Sequence, residues 1–115
     1  MSTRLEVLVH ELTLSLKVIQ KWHRVAFEGS ADRGWRDCVF CKQYYDRDCS
    51  ACPITKYKFG QCCCYNTPYD DWEIQSKPPP RIANTRKLQH LAVKELLFLI
   101  KVANHICGLI EKEIR

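Results

Sequence analysis

Residues 86–110 read RKLQHLAVKELLFLIKVANHICGLI, and this segment determines the architecture more than any other part of the chain. Apolar side chains recur in it at steps of three and four residues, which is the period of an α-helix with a buried face. We predict a helix over residues 82–114, capped by Asn84 or Thr85. At a rise of about 1.5 Å per residue, this helix would be roughly 50 Å long.

The apolar surface of this predicted helix is broader than one stripe. A second row of apolar residues adjoins the first, and Cys107 within it is interpreted as a small buried side chain. One partner helix covers about one stripe, so the second needs another cover. The first stripe consists of Leu88, Leu91, Ala92, Leu96, Leu99, Ala103, Ile106 and Ile110, and the second of Val93, Leu97, Ile100 and Cys107.

A second long helix is predicted near the amino terminus, over residues 3–27. Ser2 or Thr3 is a suitable cap, and Gly29 is a suitable stop. The chain would thus be a single domain, 1–115, in the mainly α class. The predicted apolar stripe of this first helix consists of Leu5, Leu8, Val9, Leu12, Leu16, Ile19, His23 and Ala26.

The two long helices are expected to form an antiparallel hairpin that flanks a loop-rich cysteine module in residues 28–80, which ends in a proline-rich connector. Two arrangements would cover the second stripe. The cysteine module would fold back over it, or two copies of the chain would pack as a four-helix bundle. We favour the homodimer, because a hairpin alone leaves the second stripe in water.

Residues 28–80 contain seven of the eight cysteines and show no sustained helical or strand period. Two CxxC pairs, Cys38 with Cys41 and Cys49 with Cys52, have the spacing of a tetrahedral site with four thiolate ligands. Such a site suits Zn²⁺, with an iron–sulfur cluster as the less favoured alternative. A metal would supply stabilisation that the module's irregular pattern lacks, because binding free energy at such a site acts as folding free energy.

Other ligand sets remain open. Cys38, Cys41 and Cys52 would be completed by Cys63 or Cys64 in one of them, and six thiols would hold more than one metal in another. Three consecutive cysteines cannot all face a single ion, so at least one of the cysteines at 62–64 is expected to be free or structural.

The compartment is predicted to be the cytoplasm. The amino terminus is charged where a signal peptide would be apolar, and the longest apolar run, residues 96–100, is far shorter than a membrane span. In a reducing compartment, clustered cysteines are more often metal ligands than disulfides. No catalytic motif accompanies them, so we predict a protein that is not an enzyme and has no membrane partner.

The net charge of +5 invites a nucleic-acid interpretation, which we keep as the alternative function. The basic excess lies in residues 1–27 and 81–115, whereas residues 28–80 carry seven basic and eight acidic side chains. A cysteine module that reads nucleic acid would need clustered cations beside the metal. The residues that would contact phosphates are Lys17, Lys21, Arg24, Arg81, Arg86, Lys87 and Lys94.

The cysteine motifs continue into Cys52-Pro-Ile, then Cys64-Tyr-Asn-Thr-Pro-Tyr69 and finally Trp72. This CxxC…CxxCP…C…PY…W order resembles a group of small phage-encoded, cysteine-rich proteins. The resemblance spans residues 20–75 and implies a viral origin and a metal-binding core, with Cys38, Cys41, Cys52 and Cys64 the best-matched positions. If it holds, the expected role is non-enzymatic, namely binding and inhibiting or redirecting a host protein.

Overall fold

The computed structural model describes residues 3–44, 51–58 and 66–115, except for the side chain of Trp35. The described residues form five α-helices and one 3-10 turn, and they contain no β-strand beyond a single bridge between Asp32 and Arg81. No described helix combines the length and the apolar character that crossing a membrane requires. The helices are α1 (Arg4–Phe27), α2 (Val39–Tyr44), α3 (Pro53–Tyr57), α4 (Pro68–Gln75) and α5 (Arg86–Ile114), and the 3-10 turn is Gly34–Arg36.

The two predicted long helices are present and pack against each other in antiparallel fashion. At one end of the pair, Arg4 Nε lies 3.5 Å from a carboxylate oxygen of Glu113. At the other end, the side-chain amide of Gln89 donates a hydrogen bond of 3.1 Å to the carbonyl oxygen of Ala26. These contacts fix the register along the pair, and the mainly α, hairpin part of the fold prediction is confirmed.

Capping side chains set the helix starts. The Thr3 hydroxyl accepts a hydrogen bond from the amide of Glu6, as the sequence predicted. Thr85 does the same for Leu88, so α5 begins at Arg86 and not at residue 82. The predicted start was four residues early because the chain before the cap pairs with the segment that follows α1, where the carbonyl of Arg81 accepts from the amide of Asp32 at 2.9 Å.

The segment between the long helices is more helical than predicted. Three short helices form within it, and two of them have proline in their first turn, where a missing amide hydrogen costs nothing. Thr67 caps α4 by accepting from the amide of Tyr69. Side-chain contacts hold α3 against the first long helix, since Lys56 Nζ lies 2.6 Å from the buried carboxylate of Glu11. The absence of a long period in this segment reflected short helices rather than loops.

The buried side of α1 is rotated relative to the predicted stripe. Trp22, Val18 and Val25 are buried, whereas Val9 and Leu16 are about half exposed. The rotation arises because the chain between the long helices packs on the side of α1 that contains Trp22 and Val25, which draws these larger side chains into the core. For α5 the predicted first stripe is largely correct, since Ala92, Leu96, Leu99, Ala103 and Ile106 are all buried.

The short helices lie on one side of the α1–α5 pair, where Trp72 and Phe40 join the core of the long helices. They do not cover the second stripe of α5, because Leu97 and Ile100 remain exposed. Of the two arrangements that would have covered this stripe, folding back of the described part of the cysteine module therefore does not occur. Among the described residues, Leu97 and Ile100 of this stripe stay open to solvent, whereas Val93 packs against the core.

Candidate metal centre and the ion-pair network beside it

Cys38 and Cys41 are brought together at the start of α2. Cys38 directly precedes the helix and Cys41 lies in its first turn, so the helical geometry turns both side chains to one side. The two side chains are hydrogen-bonded to each other, and both residues are present as thiols. The CxxC spacing thus produces the paired sulfurs that the sequence predicted.

Cys52 lies at the start of another short helix, in the position that caps α3, and it is buried. Together with Cys38 and Cys41 it borders one cavity of about 1080 Å³ between the short helices and the long pair. The same cavity is bordered by Lys21 and Glu95 of the long helices. Three of the predicted ligands thus face a common space, although the helices that present them differ.

The environment of Cys38 favours its thiolate. The hydrogen bond from the Cys41 side chain lowers the pKa of the Cys38 thiol to about 6, and burial acts in the opposite direction without cancelling this effect. Backbone hydrogen bonds from Cys41 and Phe40 and the positive charge of Lys21 also lower it. Because the thiolate is the form that ligates metals, Cys38 is prepared for that role at neutral pH.

A buried carboxyl group on α5 faces the same region. Glu95 is 3% exposed, and one of its oxygens has no hydrogen-bond partner among the described residues. Burial raises the pKa of Glu95, and the nearby Cys38 adds to this effect, so that it reaches about 8. The group is therefore mainly a neutral carboxylic acid at pH 7, which reduces the cost of placing it inside the protein.

Lys21 is the centre of a buried ion-pair network. Its Nζ atom lies 2.7 Å from a carboxylate oxygen of Asp32 and 2.7 Å from one of Asp37. Burial alone would lower the pKa of Lys21, but the two carboxylates more than offset this effect and raise it. Burial would raise the pKa of Asp32, but the charge and hydrogen bond of Lys21, with the hydrogen bonds from Gly34 and Trp72, lower it. Both groups are therefore charged at neutral pH.

Asp32 joins this network to the aromatic core. Its carboxylate accepts from the indole Nε1–H of Trp72 at 2.9 Å and from the amide of Gly34 at 2.8 Å. Trp72 meets Trp22 edge to face at a centroid distance of 5.5 Å, and Tyr69 meets Trp22 in the same way at 5.8 Å. One carboxylate thus links α1, the 3-10 turn and α4 immediately beside the cysteine pair.

The predicted metal ligands are only partly within the described residues. Cys38, Cys41 and Cys52 are described, whereas Cys49, Cys63 and Cys64 lie outside the described ranges. Within those ranges, no group of three or more His, Cys, Asp or Glu side chains is close enough to hold a metal ion. The complete ligand set therefore stays a prediction, and so does the choice between one metal and two.

The predicted phosphate-binding residues do not form one basic surface. Lys21 is buried between carboxylates, and Arg81 is half buried, with one guanidinium nitrogen 3.3 Å from the Tyr69 hydroxyl. Lys87 is exposed and donates to the side chain of Gln75 at 3.1 Å. The remaining members of the set are exposed on the two long helices, and they are Lys17, Arg24, Arg86 and Lys94.

Cys107 corrects another expectation. It was interpreted as a small buried residue of α5, but it is exposed. It follows the buried Ile106 by one position, and one step along a helix turns the side chain by about 100°, which here moves it from the core to the open stripe. Cys107 therefore lies away from the other described thiols.

Sequence reasoning missed Asp32 and Glu95, and it named Trp72 only as part of the cysteine layout, without its contact to Asp32. Asp32 and Trp72 lie forty residues apart in different local structures, and no local pattern connects them. Glu95 did carry a signal, because it is the only acidic residue in residues 86–110, within an otherwise apolar and basic segment. An isolated acid on the apolar stripe of a helix indicates a buried carboxyl group with a specific environment.

Comparison of the chain with protein-family models, with curated proteins and with solved structures gave no match in any of the three. The resemblance to phage-encoded proteins therefore stays a prediction from the cysteine layout.

Proposed function

We propose that the protein is a zinc-braced interaction protein without catalytic activity. In this proposal Cys38 and Cys41 provide the first half of a tetrahedral thiolate site, and the remaining ligands come from Cys49, Cys52 and the 62–64 triplet. The observation that carries the proposal is the pairing of Cys38 and Cys41 at the start of α2, where the pKa of one thiol falls to about 6. Paired thiols of this kind are half of a structural zinc site.

The surroundings of the pair include the cation Lys21, whose charge is shared with Asp32 and Asp37. Zn²⁺ bound by four thiolates carries a formal charge of about −2, and a nearby cation reduces the cost of burying it. Lys21 is near enough to lower the pKa of Cys38. Glu95, mainly neutral at pH 7, adds no full negative charge there. When bound, the ion would lock the segment between the long helices, since chelation of thiols from separate turns restricts all of them.

A bound metal would keep the surface of the segment between the long helices rigid. That surface would then act by binding another protein. With the resemblance to phage-encoded proteins, the expected partner is a host protein that is inhibited or redirected, in the host cytoplasm. A small chain obtains rigidity from a metal with few residues, which suits a protein whose activity is recognition. A second copy of the chain and a host protein are both consistent with this role.

The metal is tested by zinc analysis of the purified full-length protein and of two serine variants. Cys38→Ser is expected to lose bound zinc, because it removes a ligand with a favoured thiolate. Cys107→Ser is the matched control, since Cys107 is exposed on α5 and is expected to leave zinc content unchanged. Wild-type protein without zinc, or a Cys38→Ser variant that retains it in full, would contradict the proposed site.

The recognition role is tested by capture from lysate of the expected host, with wild type, Cys38→Ser and Cys107→Ser immobilised in parallel. A specific protein retained by wild type and by the Cys107 variant, and lost from the Cys38 variant, supports the proposal. Retention of nucleic acid that falls steeply with added salt supports the alternative function instead.

A further inference from the structure

One face of the α1–α5 pair is apolar and uncovered. Its most exposed members are Val9, Leu16 and Phe27 on α1 and Leu97 and Ile100 on α5, with exposed fractions between 36% and 55%. We refer to the surface formed by these five residues as the open face. Scattered exposed apolar residues are normal, but a contiguous row along two helices indicates an interaction surface.

The five residues lie on the same side of the helix pair for a geometric reason. Each follows a buried residue by one position, as Leu16 follows Ser15 on α1 and Leu97 follows Leu96 on α5. One position corresponds to a rotation of about 100° away from the core. Because the two helices run in opposite directions and face each other, equal rotations turn both rows to one side.

The opposite side of the pair is occupied by the short helices. Residues that precede the core row by one position make those contacts: Lys21 binds Asp32 and Asp37, and the Phe98 ring meets Tyr57 edge to face at 5.8 Å. The open face is therefore the side of the two-helix layer away from the described part of the cysteine module.

The rows on the two helices are matched in height. The contact of Arg4 with Glu113 and that of Gln89 with Ala26 place residues of α1 and α5 at the same level when their numbers add to 115–117. Leu16 therefore lies level with Ile100, and Leu97 lies about one helical turn away. These three residues form the middle of the open face, with Val9 and Phe27 towards its two ends.

The chemistry of the open face favours an uncharged partner. Between its apolar members lie the uncharged polar residues Thr13, Gln20 and Asn104 and the histidine His23, and the exposed cations Arg24 and Lys101 border it, one helical turn from Phe27 and Leu97. Within this border the face offers a charged peptide no charge complement. A surface of this composition matches another apolar and uncharged surface, and the chain itself supplies one.

The size of the face is sufficient for a weak dimer. From Val9 to Phe27 it extends about 27 Å at 1.5 Å per residue, and two adjacent helices are about 20 Å wide. Each copy would bury roughly 500 Å², or about 1,000 Å² in total, which is at the lower limit for a specific interface. An interface of this size is typical of weak complexes, so we expect association in the micromolar range.

We propose that two copies of the chain associate through the open face, about a two-fold axis parallel to the long helices. Rotation about that axis places α1 of one protomer antiparallel to α5 of its partner at the same level. Leu16 of each protomer then packs against Leu97 and Ile100 of the other, and the four long helices share one core. This inference does not rest on the metal, because the open face lies on the other side of the helix pair.

Sedimentation velocity of the full-length, zinc-supplemented protein over about 1–500 µM tests the proposal. Wild type should shift from monomer to dimer within this concentration range. Leu16→Glu and Leu97→Glu should weaken association at least about 100-fold, because each symmetric dimer would bury two unpaired carboxylates. The matched control is Ile74→Glu on α4, an exposed aliphatic residue outside the open face, which should dimerise as wild type does.

A mixing experiment tests the pairing itself. Leu16→Glu and Leu97→Lys should each be monomeric alone and should form a heterodimer when combined, because the new charges would face each other across the interface. Circular dichroism verifies that every variant is folded, as expected for changes at positions about half exposed. A wild type that stays monomeric throughout, equal loss in the Ile74 control, or no heterodimer on mixing would overturn the proposal.

Discussion

Replacing Asp32 by asparagine should destabilise the protein more than any other single change of charge that the structure suggests. The Asp32 side chain has no exposed surface, and its two oxygens accept from Lys21, Gly34 and Trp72 at 2.7, 2.8 and 2.9 Å. Asparagine has nearly the same shape but no charge, so the substitution removes the ion pair and leaves the packing in place.

The magnitude follows from what remains around Lys21. Removing one partner of a buried ion pair leaves an uncompensated charge and costs about 3–5 kcal/mol. Asp37 still lies 2.7 Å from Lys21 Nζ and offsets part of this loss. We therefore expect a decrease of about 3 kcal/mol in the free energy of unfolding, a large fraction of the roughly 5–15 kcal/mol that a domain usually has.

Asp37→Asn is the matched control, because Asp37 also lies 2.7 Å from Lys21 Nζ but its side chain is 32% exposed. Water screens an exposed pair, so this variant should lose about 1 kcal/mol or less. Urea unfolding followed by circular dichroism measures both values. A loss below about 1 kcal/mol for Asp32→Asn, or one no larger than that of the control, would refute the view that Asp32 organises this region.

The remaining predictions use the same unfolding assay. The pKa of Asp32 is lowered by folding, so its contribution is present above its ordinary pKa of 3.8 and is lost as pH falls further; the difference in unfolding free energy between wild type and Asp32→Asn should therefore narrow as pH falls below about 4. An unchanged difference would contradict the ion pair. Thr85→Ala should cost about 1 kcal/mol through loss of the α5 cap, and no loss would show that another group caps the helix. Leu99→Ala should lower the free energy of unfolding by about 3 kcal/mol, because Leu99 is buried. Leu97→Ala should lower it by less than about 1 kcal/mol when measured below about 1 µM, where the chain is expected to be monomeric. Equal losses would contradict the assigned core side of α5.

The long helices could be predicted from the sequence because their signals are local. Thr3 and Thr85 cap them, and apolar side chains recur with the helical period between those caps and the helix ends. The buried side of α1 was not predicted correctly. Its apolar residues surround much of the helix, and the partner that selects Trp22 over Leu16 is more than forty residues away in sequence.

Of the candidate site, the sequence predicted the pairing of Cys38 and Cys41 but not the side chains around it, and the full ligand set stays a prediction. The CxxC spacing is local, so the pairing of Cys38 and Cys41 follows from it directly. Lys21 was assigned to a basic surface because it lies off the predicted apolar stripe, and only the tertiary fold brings Asp32 and Asp37 to it. Residues that act through partners distant in sequence leave no pattern in a single chain.

The unassigned stripe of α5 shows what sequence reasoning can establish about association. The excess of apolar surface over what one helix covers was visible in residues 86–110. Whether the cysteine module or a second copy of the chain covers this surface depends on the side of the helix pair against which the short helices pack. Their described residues pack on the side away from Leu97 and Ile100. The pattern predicted that a cover is needed, and the fold leaves that side available to a second copy.

We propose that zinc holds the cysteine module, and native mass spectrometry of the full-length protein tests this most directly. We expect zinc at a fixed whole-number ratio per chain, lost in Cys38→Ser and retained in Cys107→Ser. Metal-free wild-type protein, folded and unaffected by added zinc or by a chelator, would contradict it.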